Sequence, residues 1–109
     1  MQSWDLVTME VEPRQPVVLD SSDEGRAILI ALPAGEQLSE HQVHERAWLM
    51  VVSGRIGITL PGGGTADGAA GMLTVFDPAE RHEISAVEDS RLLLVLSPWP
   101  GEGHPSNRD

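Results

Sequence analysis

The stretch HQVHERAWLMVVSG, residues 41 to 54, sets two histidines and a glutamate directly ahead of an apolar run that closes on a glycine. Imidazoles and carboxylates grouped in this way hold divalent transition metals or move protons near neutral pH. His82 follows a separate turn, DPAER, and His104 lies in a tail rich in Pro and Gly, where it reads as solvated. The chain has no cysteine, lysine or tyrosine. Thiolate, Schiff-base and phenolic chemistry are thereby excluded, along with cysteine-based zinc and iron-sulfur sites. Any catalysis must rest on His, Asp, Glu, Arg, Ser or a bound metal.

Three shorter motifs lead nowhere. HER at 44 to 46 begins like a zincin signature, but Trp48 stands where the second histidine belongs and that motif needs a helix. PGGGT and DGAAG lack the lysine and following helix of a phosphate loop,, and they read as hairpin turns. Ser53 lacks the glycine and strand-to-helix elbow of a hydrolase nucleophile.

The 109 residues suit one domain with one core,. Seventeen acidic against seven basic residues, all arginine, give a formal charge of -10. Such a field repels phosphate backbones and anionic lipid, so neither nucleic acid nor a membrane surface is an expected partner. The segment MQSWDLVTME has neither a basic nor an apolar signal region, and a cytoplasmic location is the expectation,.

Positioning these side chains falls to β-strands. Eight prolines and eleven glycines break the chain, and no window keeps helical apolar spacing for three turns. The pattern predicts strands at 4 to 9, 16 to 19, 25 to 32, 47 to 52, 55 to 60, 72 to 76, 82 to 87 and 91 to 96, with turns between them, including DG at 67 and 68,. About eight short strands imply a sandwich, barrel or jelly roll. In RIGITL the apolar residues Ile56, Ile58 and Leu60 alternate, whereas AWLMVV and LLLVL are apolar on both faces. Such strands need cover outside the core, and a second subunit is the expected cover. A homodimer is predicted, with Trp48, Met50 and alternate residues of Leu92 to Leu96 at its interface. The barrel is expected to span 1 to 97. Residues 98 to 109 form a tail that either crosses the barrel, where Trp99 would close one mouth or anchor loosely, or is disordered.

Residues 35 to 54 and 71 to 82 together resemble the two motifs of the cupin family. The first motif runs G, five residues, H-x-H, three or four residues, E, six residues, G, and it is matched at Gly35, His41 and Gly54. The second runs G, five residues, P-x-G, two residues, H, and it is matched at Gly71 and His82, with Asp77 and Ala79 in the Pro and Gly places. The resemblance implies an all-β, single-domain, double-stranded β-helix, a cupin-type jelly-roll barrel. It also implies a site at the barrel mouth where two histidines and a glutamate of the first motif join the histidine of the second around a metal. In this chain Val43 and Ala47 occupy two of those four places. His44 is one residue out of phase and reaches inward only through a bulge or an irregular lead-in.

Two readings follow. In the preferred one, the protein binds a small molecule and is non-catalytic or regulatory, with a pocket lined by His41, Leu49, Val51, His82 and Ile84. The two imidazoles then bond to each other, to water or to carboxylates such as Glu40 or Glu83. In the alternative, His41, His44 and His82 hold one divalent transition metal, and the protein is a small metal-dependent enzyme of the dioxygenase or isomerase kind. Phe76 is expected in the core. Arg46 and Arg81 are expected in salt bridges rather than at a ligand.

Overall fold

The computed structural model describes residues 1–41 and 44–101, and for residues 39–41 it describes the backbone alone. The described strands are β1 (Val17–Ser22), β2 (Gly25–Leu32), β3 (Gln37–His41), β4 (Arg46–Ser53), β5 (Arg55–Thr59), β6 (Thr65–Ala69), β7 (Leu73–Phe76), β8 (His82–Ala86) and β9 (Ser90–Ser97). No helix occurs among the described residues, so none is long and apolar enough to cross a membrane. Two antiparallel sheets form, one in the order β1-β2-β9-β4-β7 and the other β3-β8-β5-β6. The last strand, β9, lies between β2 and β4. The crossing connections make this a jelly roll rather than a meander.

Alternation explains how the sheets pack. In β4, Ala47, Leu49 and Val51 are buried while Arg46, Trp48 and Met50 are half-buried, and β9 buries Leu92, Leu94 and Leu96 in the same way. From the other sheet come Ile56 and Ile58 of β5 with Ile84 and Ala86 of β8. These inward rows form one core between the sheets, as the period of two requires. Arg55 and Thr59 of β5 face water.

Three expectations about strands are corrected. Residues 4 to 9 do not form a strand: residues 6 to 8 are in a turn, where Asp5 Oδ1 accepts hydrogen bonds from the backbone N–H of Val7 at 3.0 Å and of Thr8 at 3.1 Å. Short-range capping by an aspartate outcompetes the apparent apolar alternation there. Gln37–His41 and Thr65–Ala69 are strands although their sequences, QLSEH and TADGA, carry little apolar signal. Asp67 and Gly68 accordingly lie within β6, paired with Gly57 and Ile56, and do not form a turn.

Beyond β9 the chain stays on the barrel. Ser97 Oγ donates to the Glu24 carbonyl at 2.7 Å, the Arg26 guanidinium lies 4.1 Å from the Trp99 ring centre, and Trp99 packs against the core. The Gly101 N–H donates to Glu45 Oε2 at 2.6 Å. Residues 102–109, with His104, lie outside the described residues.

Candidate functional site

His82 opens β8, and the alternation of that strand turns His82, Ile84 and Ala86 inward. The preceding DPAE turn is tightly braced. The Asp77 N–H donates to Glu80 Oε1 at 2.9 Å, the Glu80 N–H donates back to the Asp77 carbonyl at 3.0 Å, and Arg46 Nη1 donates to Asp77 Oδ1 at 2.7 Å. Ala79 holds φ at +65° in this turn. The outcome is a fixed, 2 % exposed imidazole.

Two contacts orient that ring. Nδ1 lies 3.2 Å from the Glu80 carbonyl oxygen, and the ring stacks on Phe76 with centroids 3.8 Å apart and planes 9° apart. A carbonyl only accepts, so Nδ1 carries the hydrogen in this contact. In the neutral ring Nε2 is then the nitrogen that accepts. Phe76 is a core residue, as expected, and it is also the platform on which the imidazole rests.

A cavity of about 430 Å³ opens between the sheets beside this ring. Its walls are Ile28 and Ile30 of β2, Gln37 and Leu38 of β3, Leu49 of β4, Phe76 of β7, Ile84 of β8 and Leu94 of β9, with Pro16 at the edge. The lining is apolar except for His82 and Gln37. Such a chamber suits a ligand that is mostly hydrocarbon and has one polar end. A larger open depression, about 560 Å³, lies where Asp20, Glu24, Arg26 and Trp48 meet on the outer side of the five-stranded sheet. It contains no imidazole and is unenclosed, so the smaller inner cavity is the candidate site.

The sequence-derived site residues fall in different places. Leu49, His82 and Ile84 line the cavity, whereas Val51 is buried in the core and is not part of the lining. His41 pairs with His82 in the β3–β8 register, but its side chain lies outside the described residues, as do Val43 and the side chain of Glu40. His44 is exposed and does not line the cavity. Arg46 forms the salt bridge expected of it.

Gln37 and Leu38 lie on β3, whose sequence carries little strand signal, and only the pairing order brings Ile28, Ile30 and Leu94 to the same chamber. Glu45 is the other residue whose place was missed. It is 1 % exposed and shares the inward parity of Ala47, Leu49 and Val51. That parity was the available signal. Its carboxylate is engaged by the C-terminal segment through Gly101.

The metal that a cupin resemblance implies can be tested against these donors. Among the described residues no three His, Cys, Asp or Glu side chains converge, and the cavity offers one imidazole and one carboxamide. Ala47, in the family's carboxylate place, supplies no donor atom. This described set does not fit a divalent transition ion, which takes three or more imidazole, carboxylate or thiolate ligands from a protein.

The fold and the inner cavity together define a cupin-type barrel, and known structures agree. A cupin of the RmlC-like kind from Desulfovibrio desulfuricans superposes with a TM-score of 0.79 at 18 % identity over 90 % of this chain and 97 % of that one. KdgF from Halomonas sp. gives 0.70 at 24 % identity over 83 % and 85 %. An RmlC-like cupin from Methanocaldococcus jannaschii, described as having a double-stranded β-helix fold, gives 0.72 at 20 % identity over 85 % and 89 %. No family model and no curated protein matches the sequence. The chain has the cupin fold, one all-β double-stranded β-helix.

Proposed function

We propose that this chain is a non-catalytic or regulatory cupin that binds an apolar small molecule carrying one hydrogen-bonding end group. The observation that carries this reading is the inner cavity, whose walls are aliphatic or aromatic apart from His82 and Gln37. The apolar part of the ligand gains from leaving water, and its end group is recognised on the side of the imidazole and carboxamide. Medium-chain fatty acids and substituted phenols have this character.

Titration of the untagged chain with both sets, followed by methyl chemical shifts, tests the proposal. Shifts are expected at Ile28, Leu49 and Ile84. Ile28→Phe, which enlarges a half-buried wall residue into the chamber, is expected to weaken binding at least tenfold, about 1.4 kcal/mol. No shift at these methyls with millimolar ligand would sink it.

One observation favours the metal-dependent alternative of His41, His44 and His82, although His44 is exposed away from the cavity and only His41 pairs with His82 in the strand register. A histidine whose Nδ1–H is held by a carbonyl presents Nε2 in the tautomer that metals use,. Metal analysis of untagged wild type and His82→Ala separates the two readings. A stoichiometric transition metal lost in the variant supports the alternative, whereas metal-free wild type supports ligand binding alone.

A further inference from the structure

The inner cavity lies beside the slot between the two sheets on the side of β1, β2 and β3. β1 is the outermost strand of one sheet and β3 of the other, so no strand ladder closes that side. A second hollow of about 430 Å³ sits there, and its rim includes exposed Arg14 and Gln37. It shares Pro16, Ile30, Gln37 and Leu38 with the inner cavity. Those four side chains are a common wall between the buried chamber and the outer hollow.

The two sides of the slot are held very differently. On the β3 side, β8 fixes the backbone around Glu36: the Gly35 N–H donates to the Ala86 carbonyl and the Ala86 N–H donates to the Glu36 carbonyl, each at 2.9 Å. On the other side, the sheet pairing of β1 begins only at Val17. Among the described residues, the one backbone–backbone hydrogen bond made by residues 10–15 is a local turn bond, from the Gln15 N–H to the Glu12 carbonyl at 3.1 Å. Arg14 takes φ of +65° in that turn, and its guanidinium reaches across the slot to the Glu36 carboxylate. The lead-in to β1 is therefore tied to β3 by an ion pair at the protein surface. Such a pair is worth little in free energy and parts readily. A segment with so few backbone bonds belongs to the part of a fold that opens locally.

We infer that the lead-in to β1 is the gate of the inner cavity. The Arg14–Glu36 pair holds it shut, and small molecules enter when the pair parts and Pro16 withdraws from the common wall, while the barrel stays folded. The end covered by the C-terminal segment, where Trp99 packs on the core and Glu45 holds the Gly101 N–H, stays closed. The inference rests on the ligand-binding reading for its use. Access is measured with no ligand present, so the gate and the ligand class fail independently.

Because the chain has no cysteine, a single introduced thiol reports access. Leu49→Cys places it in the cavity lining and Val51→Cys in the core outside that lining, both at positions 1 % exposed. With methyl methanethiosulfonate as the probe, labelling of Leu49→Cys should be flat at low urea, as local opening is. Labelling of Val51→Cys should rise steeply with urea, because it requires global unfolding. Leu94→Cys, also in the lining, repeats the measurement where Leu49→Cys fails to fold. Arg14→Ala and Glu36→Gln should each speed the urea-independent labelling about two- to fivefold, as much as one surface ion pair allows. The double variant should go no further than either single one. Glu45→Ala, which loosens the C-terminal segment, should leave that rate unchanged. Lining labels that follow the urea dependence of Val51→Cys overturn the inference. So does a urea-independent rate that Arg14→Ala leaves as it was, or one that Glu45→Ala raises instead.

Discussion

At the scale of single residues, backbone conformation separates two positions of the cupin-like motifs. Gly54, between β4 and β5, has φ of +89°, and a Cβ there would lie 2.7 Å from Ser90 Cα with the Asp89 carbonyl and Ser90 hydroxyl closer still. Both the angle and the space demand glycine. Gly54→Ala should cost about 2 to 4 kcal/mol, combining positive-φ strain with backbone displacement, and chemical denaturation would measure it. Ala79 shows the converse. It occupies the glycine place of the second motif while holding φ at +65°, a conformation that costs an L-residue about 1 kcal/mol or more. Ala79→Gly should therefore stabilise the fold by roughly 0.5 to 1 kcal/mol, with His82 chemical shifts unchanged. A destabilised variant would contradict that account of the turn. The motif glycines were legible in the sequence because turn geometry tolerates few substitutes. Of the chamber's lining, Ile28, Ile30 and Leu94 were not legible, because only the strand order brings them beside Leu49, His82 and Ile84.

At the scale of elements, legibility followed burial. The central strands β2, β4 and β9 advertise themselves through branched apolar residues, since the core claims one face of each and half-buried apolar residues occupy much of the other. The edge strands β3 and β6 each pair with one neighbour only, and QLSEH and TADGA need bury little to do so. The terminal segments depend on specific hydrogen bonds instead. Glu45 holds the C-terminal segment through Gly101 N–H, so Glu45→Ala removes a buried hydrogen bond to a charged group and should cost about 1 to 3 kcal/mol. The Trp99 indole resonance should move at the same time, as its packing beside Arg26 loosens. Gly101→Ala should move the same resonance, because its Cβ would sit 2.7 Å from the His44 carbonyl oxygen. The N-terminal turn responds to pH in a defined sense. Hydrogen bonding from the Thr8 side chain, then from the Thr8 and Val7 amides, holds the Asp5 carboxyl below its ordinary 3.8. A depressed folded value means the cap is complete above pH 3.8 and is lost as pH falls through the lower folded value,. The Val7 and Thr8 amide shifts should stay flat at neutral pH and move only under that acid condition.

At the scale of the whole molecule, net charge and the outward apolar residues of β4 and β9 oppose each other in the homodimer predicted from the sequence, and ionic strength decides between them. Each copy carries -10, so bringing two together costs electrostatic work that is largest in dilute buffer. Salt shortens the screening length from about 30 Å at 0.01 M to about 8 Å at 0.15 M. It weakens repulsion between the distant acidic surfaces, while burial of Trp48, Met50, Leu93 and Val95 against their counterparts keeps its strength. Any attraction between the arginines of one copy and the carboxylates of the other is screened too, but with seventeen acidic residues against seven arginines repulsion outweighs it. Association should therefore strengthen several-fold between low and physiological salt, read as a falling dissociation constant in sedimentation at each ionic strength. An interface held chiefly by its rim ion pairs would show the opposite slope. That sign separates an apolar sheet-on-sheet dimer from an electrostatic one without any substitution in the chain.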